Sequence, residues 1–564
     1  MSNKICLAQS IDELKFILSE VKESIICVPL SLHTQLYCMQ NKLEFYNPLN
    51  FIENNFYHNA LKDSENLINK LNLGDLTHES HIKEYTAIIR FRFNSIIFLL
   101  ELIEKINFHK KIDKIFVSGW NSYFAPLSIK NHFISDVIVN LVTDIKVVKL
   151  SNTDVEKISS REEKKYIIRN TNINKNKNYI LVNTFGYNLI RIILWLSKKN
   201  CYVLVPTFDK YLNKKEISFF MRKILKLFKI IVVVFDSNPS KNQNKFLLPD
   251  IKFFYKKKDL SSLLSLRKEQ ELGNLIKLKN ICEGIDILFD KFSIKLALTN
   301  FTKGHDGYYI EKSKKKNITS ICIPHGSLSE YFNEYDKIYK KIIAEAQLNE
   351  KSQFIAIQSK IAKDFTDAYK IKHNFIETGN LIFGNSKSSN KKKIIFAVTL
   401  KGFENIQYLG VEMYYEFLDN LNLLNNIAEK NNLEFLVKVH PYANTCFDEL
   451  QDTFKNLKFT KKKIDKVLKH AFVTISFSST VIEDSLYSKI PVILFDRWKR
   501  YKHCKAEENV KKRNSAVYYV NNENDLIDCI NTIKESDNIS FKEYVFEGNV
   551  KSNIENLMKK LLPH

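Results

Sequence analysis

The residues with the clearest catalytic potential lie where two predicted strands end. The strand EFLVKV leads directly into His440-Pro441, and the strand FVTIS leads through a phenylalanine into Ser478-Ser479-Thr480. In an open parallel sheet, the loops at the carboxyl ends of the strands line one crevice. An imidazole placed there can transfer a proton or stabilise developing charge. Hydroxyls and free backbone N–H groups can bind a phosphate.

Three neighbouring residues extend this prediction. Lys438, at the end of the first strand, would add positive charge to the crevice. Thr480 and Glu483 have the spacing of a capping box, which predicts that a helix begins after the serine loop. In the structural alternative, the hydroxyl residues only start that helix and His440 packs under a loop. Taken together, the two loops favour a phosphate site.

A second pair of candidates lies further upstream. Asp306 stands between Gly304 and Gly307 after the predicted strand KLAL. A carboxylate in this loop could take a proton from an acceptor hydroxyl within hydrogen-bond reach. His325 follows the strand TSICI in the segment Pro-His-Gly-Ser, where the glycine permits a close backbone approach. The alternatives are that Asp306 caps a helix and that His325 is buried or capping.

The turn Gly379-Asn380 follows the predicted strand FIET. It could approach a ligand, or it could be a hinge between two units. The hinge is the favoured interpretation. A domain boundary is predicted beside it, from Gly384 to Lys393, because turn formers and lysines replace the apolar periodicity there.

Short β-branched runs alternate with amphipathic stretches along almost the whole chain. This alternation indicates an α/β fold with parallel sheets and crossover helices, and 564 residues are enough for two to four domains. We predict an N-terminal unit at 1–385 with a helical insertion at about 51–111. A second α/β unit follows at 392–540. A terminal helix at 541–564 would pack back on the first unit.

The chain is strongly basic. It has 86 lysines and arginines against 63 aspartates and glutamates, a formal charge of +23. This charge favours an anionic partner, such as nucleic acid, an anionic membrane face or a phosphorylated substrate. The lysine runs are scattered and lack the interleaved aromatic residues of single-strand binders. We therefore predict no nucleic-acid partner, and a basic polyanion-binding protein stays as the non-enzyme alternative.

Cysteine usage and hydropathy predict a cytoplasmic protein. The nine cysteines contain no C-x-x-C pair, which suits a reducing compartment and argues against zinc. Acidic residues stand where a signal peptide would need an apolar core. Two apolar stretches, 24–41 and 178–197, each break into a strand, a polar turn and a helix, so no membrane span is predicted. Peripheral contact with the anionic inner membrane face is a further option.

The motifs taken together resemble the GT-B glycosyltransferases of bacterial surface polysaccharide synthesis. The segments KVHP, FVTISFSSTVIEDSLYSKIPVILFD, ICIPHGS and FIETGN carry the resemblance, which covers roughly 295–530. Sialyltransferases and Kdo transferases that use CMP-activated sugars are the most similar. They have an acidic-acidic-Gly, a His-Pro and a Ser-Ser/Thr motif, and this chain has His305-Asp306-Gly307, His440-Pro441 and Ser478-Ser479-Thr480 in that order. The first residue of the acidic motif is histidine here, so that motif matches in part.

The resemblance implies two Rossmann-like domains that face each other across a cleft. Asp306 would be the general base and His440 would contact the nucleotide phosphate or assist its departure, while Ser478 and Ser479 would bind phosphate. The donor would be a CMP-linked nucleotide sugar, and the acceptor a glycan or lipid-linked glycan. No metal or other cofactor is predicted, since no Asp-x-Asp motif follows a suitable strand.

Two other families share parts of the pattern. The two C-terminal motifs also resemble CDP-glycerol glycerophosphotransferases. This chain has Ser476-Phe477 where that family has Asp-Tyr before the paired serines, so the family ranks second. UDP-GlcNAc 2-epimerases have a similar Gly-Asn turn, but no comparable set of acidic catalytic residues is visible here, and they rank third.

Overall fold

The structure is a computed structural model of the whole chain. The residues that it describes are 3–53, 56–69, 79–119, 122–124, 129–131, 133–150, 164–168, 174, 177–186, 189–208, 219–239, 254–261, 278–302, 304–324, 352–368, 373–383, 392–401 and 412–562. Most of the predicted boundary, 384–391, and the candidate His325 lie outside them.

The N-terminal part of the chain contains a four-stranded parallel sheet. Its strands are β1 (Asn3–Ala8), β2 (Ile26–Pro29), β3 (Ile112–Ser118) and β6 (Lys146–Leu150). Two short strands, β4 (Ser122–Phe124) and β5 (Ile129–Asn131), pair separately. The helices are α1 (Ile11–Glu20), α2 (Leu32–Gln40), α3 (Phe56–Asn69), α4 (Glu79–Lys110) and α5 (Phe133–Leu141). The strand order is β2-β1-β3-β6.

The middle of the chain forms an eight-stranded sheet. Its strands are β7 (Lys164–Ile168), β8 (Asn178–Val182), β9 (Tyr202–Phe208), β10 (Ile230–Pro239), β13 (Ser293–Thr299), β14 (Thr319–Cys322), β15 (Phe354–Ile357) and β16 (Phe375–Glu377), and β11 (Phe254–Tyr255) pairs with β12 (Lys258–Asp259) outside it. The helices are α6 (Ile190–Lys198), α7 (Phe219–Leu227), a helix at 278–291, α8 (Gly304–Lys315) and α9 (Lys360–Ala368). The order is β16-β15-β14-β13-β8-β9-β10-β7, and only β7 is antiparallel to its neighbour.

The C-terminal part forms a six-stranded parallel sheet. Its strands are β17 (Lys393–Phe396), β20 (Phe435–Lys438), β21 (Lys458–Thr460), β22 (Ala471–Ser476), β23 (Val492–Phe495) and β24 (Val517–Val520), and β18 (Leu400–Lys401) pairs with β19 (Glu412–Met413). The helices are α10 (Tyr414–Asn431), α11 (Phe447–Thr453), α12 (Ile464–Leu468), α13 (Val481–Tyr487), α14 (Glu523–Lys534) and α15 (Val550–Leu561). The order is β21-β20-β17-β22-β23-β24.

The sequences of the central strands explain their position. Runs such as KIIF, AFVTIS and VILF are apolar at nearly every position and almost completely buried, as expected where helices cover both faces of a parallel sheet. The middle and C-terminal units both join parallel strands through helices. The predicted fold class, α/β with two Rossmann-like domains, is confirmed.

The range predicted as one N-terminal unit, 1–385, contains two large sheets in its described residues. The four-stranded sheet is separate from the eight-stranded one. The sequence pattern could not separate them, because the same alternation of strands and helices continues through both. This extra unit contacts the C-terminal one: the Tyr414 hydroxyl donates to the carbonyl of Pro29 at 2.6 Å, and the rings of Phe98 and Tyr415 stack with their centroids 6.2 Å apart.

The last helix, α15, contacts the middle unit. Ile554 and Leu557 share an apolar core with Leu189 and Ile193 of the α6 region. Near its N-terminus, the Asn553 side chain donates to the carbonyl of Asn380 at 3.0 Å. The helix begins at Val550 because the Asn549 side chain accepts a hydrogen bond from the Ser552 N–H, a typical N-cap.

Gly379 is expected to be intolerant of a side chain. Its φ is +64°, and a Cβ there would lie 2.7 Å from Nδ2 of Asn553. Gly379→Ala should therefore lower the free energy of unfolding by about 2 kcal/mol, from left-handed backbone strain and displacement of Asn553. Urea denaturation measures the loss. In an Asn553→Ala background, Gly379→Ala should lower the free energy of unfolding by about 1 kcal/mol, because only the backbone strain remains. A loss as large as in the wild-type background would contradict the clash with Asn553.

Candidate functional site

The two predicted motifs of the C-terminal unit leave the sheet at the same level. Phe396 of β17 pairs with Val437 of β20 on one side and with Ile475 of β22 on the other. His440 and Ser478 each lie three residues beyond those partners. Strand β17 lies between β20 and β22, so these two strands are not neighbours in the sheet. The two loops begin two strand spacings apart, about 10 Å.

The histidine loop is a tight turn. His440 is half-buried, and its carbonyl accepts the N–H of Ala443 at 2.9 Å. Pro441 is exposed and begins a 3-10 helix that ends at Cys446. Lys438 points its ammonium group at the carbonyl of Val439, 2.6 Å away, and burial lowers the pKa of Lys438. The Lys438 ammonium group is thus hydrogen-bonded to the backbone at the end of its own strand, β20.

The serine loop holds hydroxyl groups with unused hydrogen-bonding capacity. The Oγ atoms of Ser476 and Ser478 are buried, and neither makes a hydrogen bond within the described part of the chain. The Ser479 hydroxyl accepts the N–H of Val481 at 3.3 Å. Buried polar groups without partners are rare in folded proteins, and often mark a place where a ligand or an ion binds.

The predicted capping box at the start of α13 is wrong. Thr480 has helical backbone angles and makes no side-chain capping bond. Glu483 is completely buried and lies 3.4 Å from Nε2 of His503. The reason is tertiary, because the chain after β23 returns over α13 and brings His503 to the glutamate. Glu483 therefore faces the protein interior and does not reach back to the Thr480 N–H.

A charged loop after β23, 496–501, was missed by the sequence analysis. The Asp496 carboxylate accepts the N–H of Tyr501 at 2.8 Å and of Trp498 at 3.2 Å, and it also accepts the Tyr519 hydroxyl at 3.2 Å. Burial raises the pKa of Asp496, although the nearby Arg500 opposes this. The signal was present in the sequence as a completely apolar strand, VILF, followed directly by DRWKR.

The same loop carries a partly exposed indole. The guanidinium carbons of Arg497 and Arg500 lie 5.4 and 5.5 Å from the Trp498 ring centroid. The ring of Tyr501 meets that of Phe477 edge-on, with centroids 5.7 Å apart. The loop after β23 therefore contacts the serine loop, and it adds an aromatic ring and two guanidinium groups to this edge of the sheet.

Asp306 belongs to a polar cluster at the carboxyl edge of the middle sheet. The Asn183 Nδ2 donates to Oδ1 of Asp306 at 2.6 Å and to Oδ1 of Asn300 at 2.8 Å. Nε2 of His305 lies 3.3 Å from the same Asp306 oxygen. Asn183 follows β8, and Asn300 follows β13. Asp306 is the third residue of α8, so it lies inside the helix and is not its N-cap.

The segment that leads to His325 begins between the two large units. The Pro324 carbonyl accepts a hydrogen bond from Nε2 of Gln358 at 3.0 Å. The Gln358 carbonyl in turn accepts the hydroxyl of Tyr487, the last residue of α13. The chain therefore enters the His325 segment beside the helix that follows the serine loop. The side chain of His325 itself lies outside the described residues.

The Gly379-Asn380 turn is closed on itself. The Asn380 side chain donates to the Phe383 carbonyl at 3.0 Å and accepts the Phe383 N–H at 2.7 Å. It is almost completely buried. These bonds occupy its amide group within the turn, and Gly379 contacts Asn553 of α15. The arrangement favours the hinge interpretation over direct contact with a ligand.

The described residues contain neither a cluster of metal ligands nor a helix that could span a membrane. No group of three or more His, Cys, Asp or Glu side chains among them could hold a metal ion. None of the helices in the described ranges is long and apolar enough to cross a membrane.

Comparisons with known proteins give structural similarity only. The sequence matches no known family profile and no curated protein. A UDP-GlcNAc 2-epimerase from Neisseria meningitidis is 14% identical over 69% of this chain and 100% of its own, with a TM-score of 0.38. S. aureus TarM is 12% identical over 68% of this chain and 97% of its own, at 0.38. The wall teichoic acid polymerase TagF is 11% identical over 69% and 85%, at 0.34.

Proposed function

We propose that the protein is a glycosyltransferase that moves a sugar from a nucleotide donor, with CMP as the nucleotide, to a hydroxyl of a surface-glycan acceptor. The observation that carries the proposal is the common level of His440 and the serine loop at one sheet edge. Ser476 and Ser478 supply hydroxyls without partners in the described chain. These are groups suited to hold an anionic leaving group.

In the proposed reaction, the bond between the anomeric carbon and the donor phosphate oxygen breaks as the acceptor oxygen bonds to that carbon. Negative charge develops on the departing phosphate. The serine hydroxyls and His440 stabilise this charge more in the transition state than in the ground state, which is the requirement for acceleration. Asp306 takes the proton of the acceptor hydroxyl. Asn183 holds the carboxylate in place.

The loop after β23 suggests how the nucleoside is held. Trp498 is partly exposed and lies in the loop that contacts the serine loop. An indole offers a face on which a base can stack. Arg497 forms an ion pair with Asp419 of α10, and this pair fixes the loop to the helix that follows β19.

Nucleotide binding can be tested directly. CMP should raise the melting temperature of the wild-type chain, because a ligand that binds only the native state stabilises it. Ser478→Ala/Ser479→Ala should lower CMP affinity by about a hundredfold, since the two lost hydrogen bonds to a charged group contribute about 1.5 kcal/mol each. Each shift is measured against the variant's own melting temperature without nucleotide.

Ser536→Ala is the matched control, since Ser536 bonds only within the chain near the end of α14. It should leave the CMP response intact. An unchanged CMP affinity of the double serine variant would refute the phosphate-binding role. A response to CDP alone would instead favour glycerophosphoryl transfer from a CDP-linked donor.

A further inference from the structure

Helices α6 and α7 carry large apolar side chains into solvent. The exposed fractions are 50% for Leu194, 47% for Met221, 82% for Leu227 and 58% for Phe228. Clustered exposed apolar residues of this size mark contact sites in soluble proteins. We call the exposed face formed by 190–200 and 219–229 the α6–α7 surface.

The two helices of the α6–α7 surface lie on the same face of the sheet and are bonded to each other at one end. The two helices connect β8 to β9 and β9 to β10, which are successive neighbours in the sheet, so right-handed crossovers place both on the same face. The Ser197 hydroxyl donates to the Phe228 carbonyl at 2.6 Å. The Lys229 ammonium group donates to the Asn200 carbonyl at 3.4 Å. The turns that end α6 and α7 are thus bonded to each other.

The charge of this surface has one sign only. The stretches 190–200 and 219–229 contain seven basic residues and no aspartate or glutamate: Arg191, Lys198, Lys199, Arg222, Lys223, Lys226 and Lys229. Of these, Lys198, Lys199, Lys223 and Lys226 are exposed. An apolar face flanked by cations is the pattern of helices that lie in the interface of an anionic bilayer.

We propose that the α6–α7 surface docks on an anionic membrane, with Leu227 and Phe228 inserted among the acyl chains and the lysines bound to the headgroups. A second copy of the chain is disfavoured, because a symmetric contact would place the four exposed lysines of one copy against those of the other. Nucleic acid is disfavoured because Phe228 is the one aromatic residue among the four exposed apolar side chains, and strand binding uses a series of stacked aromatic rings. The proposal does not depend on the donor assigned above.

Vesicle flotation with the full chain tests the proposal. Vesicles of phosphatidylcholine with about 30% phosphatidylglycerol, which carry a negative surface potential, should bind the protein at low salt. Pure phosphatidylcholine should bind it much less, and added salt should reduce binding. Leu227→Glu/Phe228→Glu should weaken binding by at least about tenfold, because two inserted apolar groups become repelled carboxylates.

Phe108→Glu is the matched control. Phe108 is 80% exposed and precedes two lysines in the chain, but it lies at the end of α4. Phe108→Glu should bind vesicles like wild type, and the double variant should keep the melting temperature of the wild-type chain when no vesicles are present. Absence of binding to anionic vesicles, an equal loss in Phe108→Glu, or a change of oligomeric state in Leu227→Glu/Phe228→Glu without vesicles would each overturn the membrane assignment.

Discussion

Asp306→Asn is expected to lower turnover at saturating donor by a factor of about 10² to 10⁴, the usual contribution of a general base. Asparagine has the same size as aspartate, so Asn183 keeps a partner at 306. The amide of the new asparagine cannot take the proton of the acceptor hydroxyl at neutral pH. CMP affinity should be unaffected, because Asp306 belongs to the middle unit and the serine loop belongs to the C-terminal unit.

The measurement is nucleotide release over time, with CMP-sialic acid and CMP-Kdo as donors and a panel of glycan acceptors. Asp286→Asn is the control, since Asp286 belongs to the same unit and bonds to the Tyr308 hydroxyl and to Lys312. That variant should keep normal turnover with some loss of stability. Near-normal turnover of Asp306→Asn would remove this residue from the mechanism and leave the nucleotide site intact.

The sequence predicted the fold well where local pattern determines structure. Apolar runs such as VILF became buried parallel strands, and the helices between them give the expected α/β architecture. It could not predict which strands pair. The same alternation produced a separate four-stranded sheet near the N-terminus, and its contacts with the C-terminal unit join residues almost 400 positions apart, such as Pro29 and Tyr414.

The candidate site shows the same division between local and long-range information. The position of His440 and Ser478 at the same edge of one sheet could be anticipated, because each lies just after a strand of that sheet. The fate of Glu483 could not, since its spacing from Thr480 fits a helix cap, and the residue that overrides the cap, His503, is 20 positions away. The spacing of residues in the sequence suggests a hydrogen-bond partner, but tertiary packing determines which partner the side chain contacts.

The N-terminal sheet adds a support for the histidine loop that the sequence did not reveal. Nε2 of His33, on α2, lies 2.7 Å from the Thr445 hydroxyl. The Gln40 side chain donates to the Glu449 carbonyl at 3.2 Å. Both contacts fall on the segment that begins directly after His440. The extra unit therefore holds in place the chain that positions the imidazole.

The charged loop after β23 depends on an ion pair that is almost completely buried. The Arg500 Nη2 lies 2.8 Å from Oε2 of Glu416, and both side chains are 1% exposed. The same carboxylate accepts the Met413 N–H at 3.1 Å, at the start of α10. Arginine thus connects the loop that carries Trp498 to the helix that follows β19.

Arg500→Met is expected to lower the stability of the C-terminal unit by about 3 to 5 kcal/mol, because it leaves the Glu416 carboxylate buried without its guanidinium partner. Urea unfolding followed by tryptophan fluorescence measures the loss, since Trp498 lies against Arg500. Arg513→Met, which removes an exposed pair with Glu535, should cost at most about 1 kcal/mol. Adding Glu416→Gln to Arg500→Met should restore most of the stability, because the amide oxygen can still accept the Met413 N–H without a charge. If the double variant is as unstable as Arg500→Met, the loss comes from packing and not from the unpaired carboxylate.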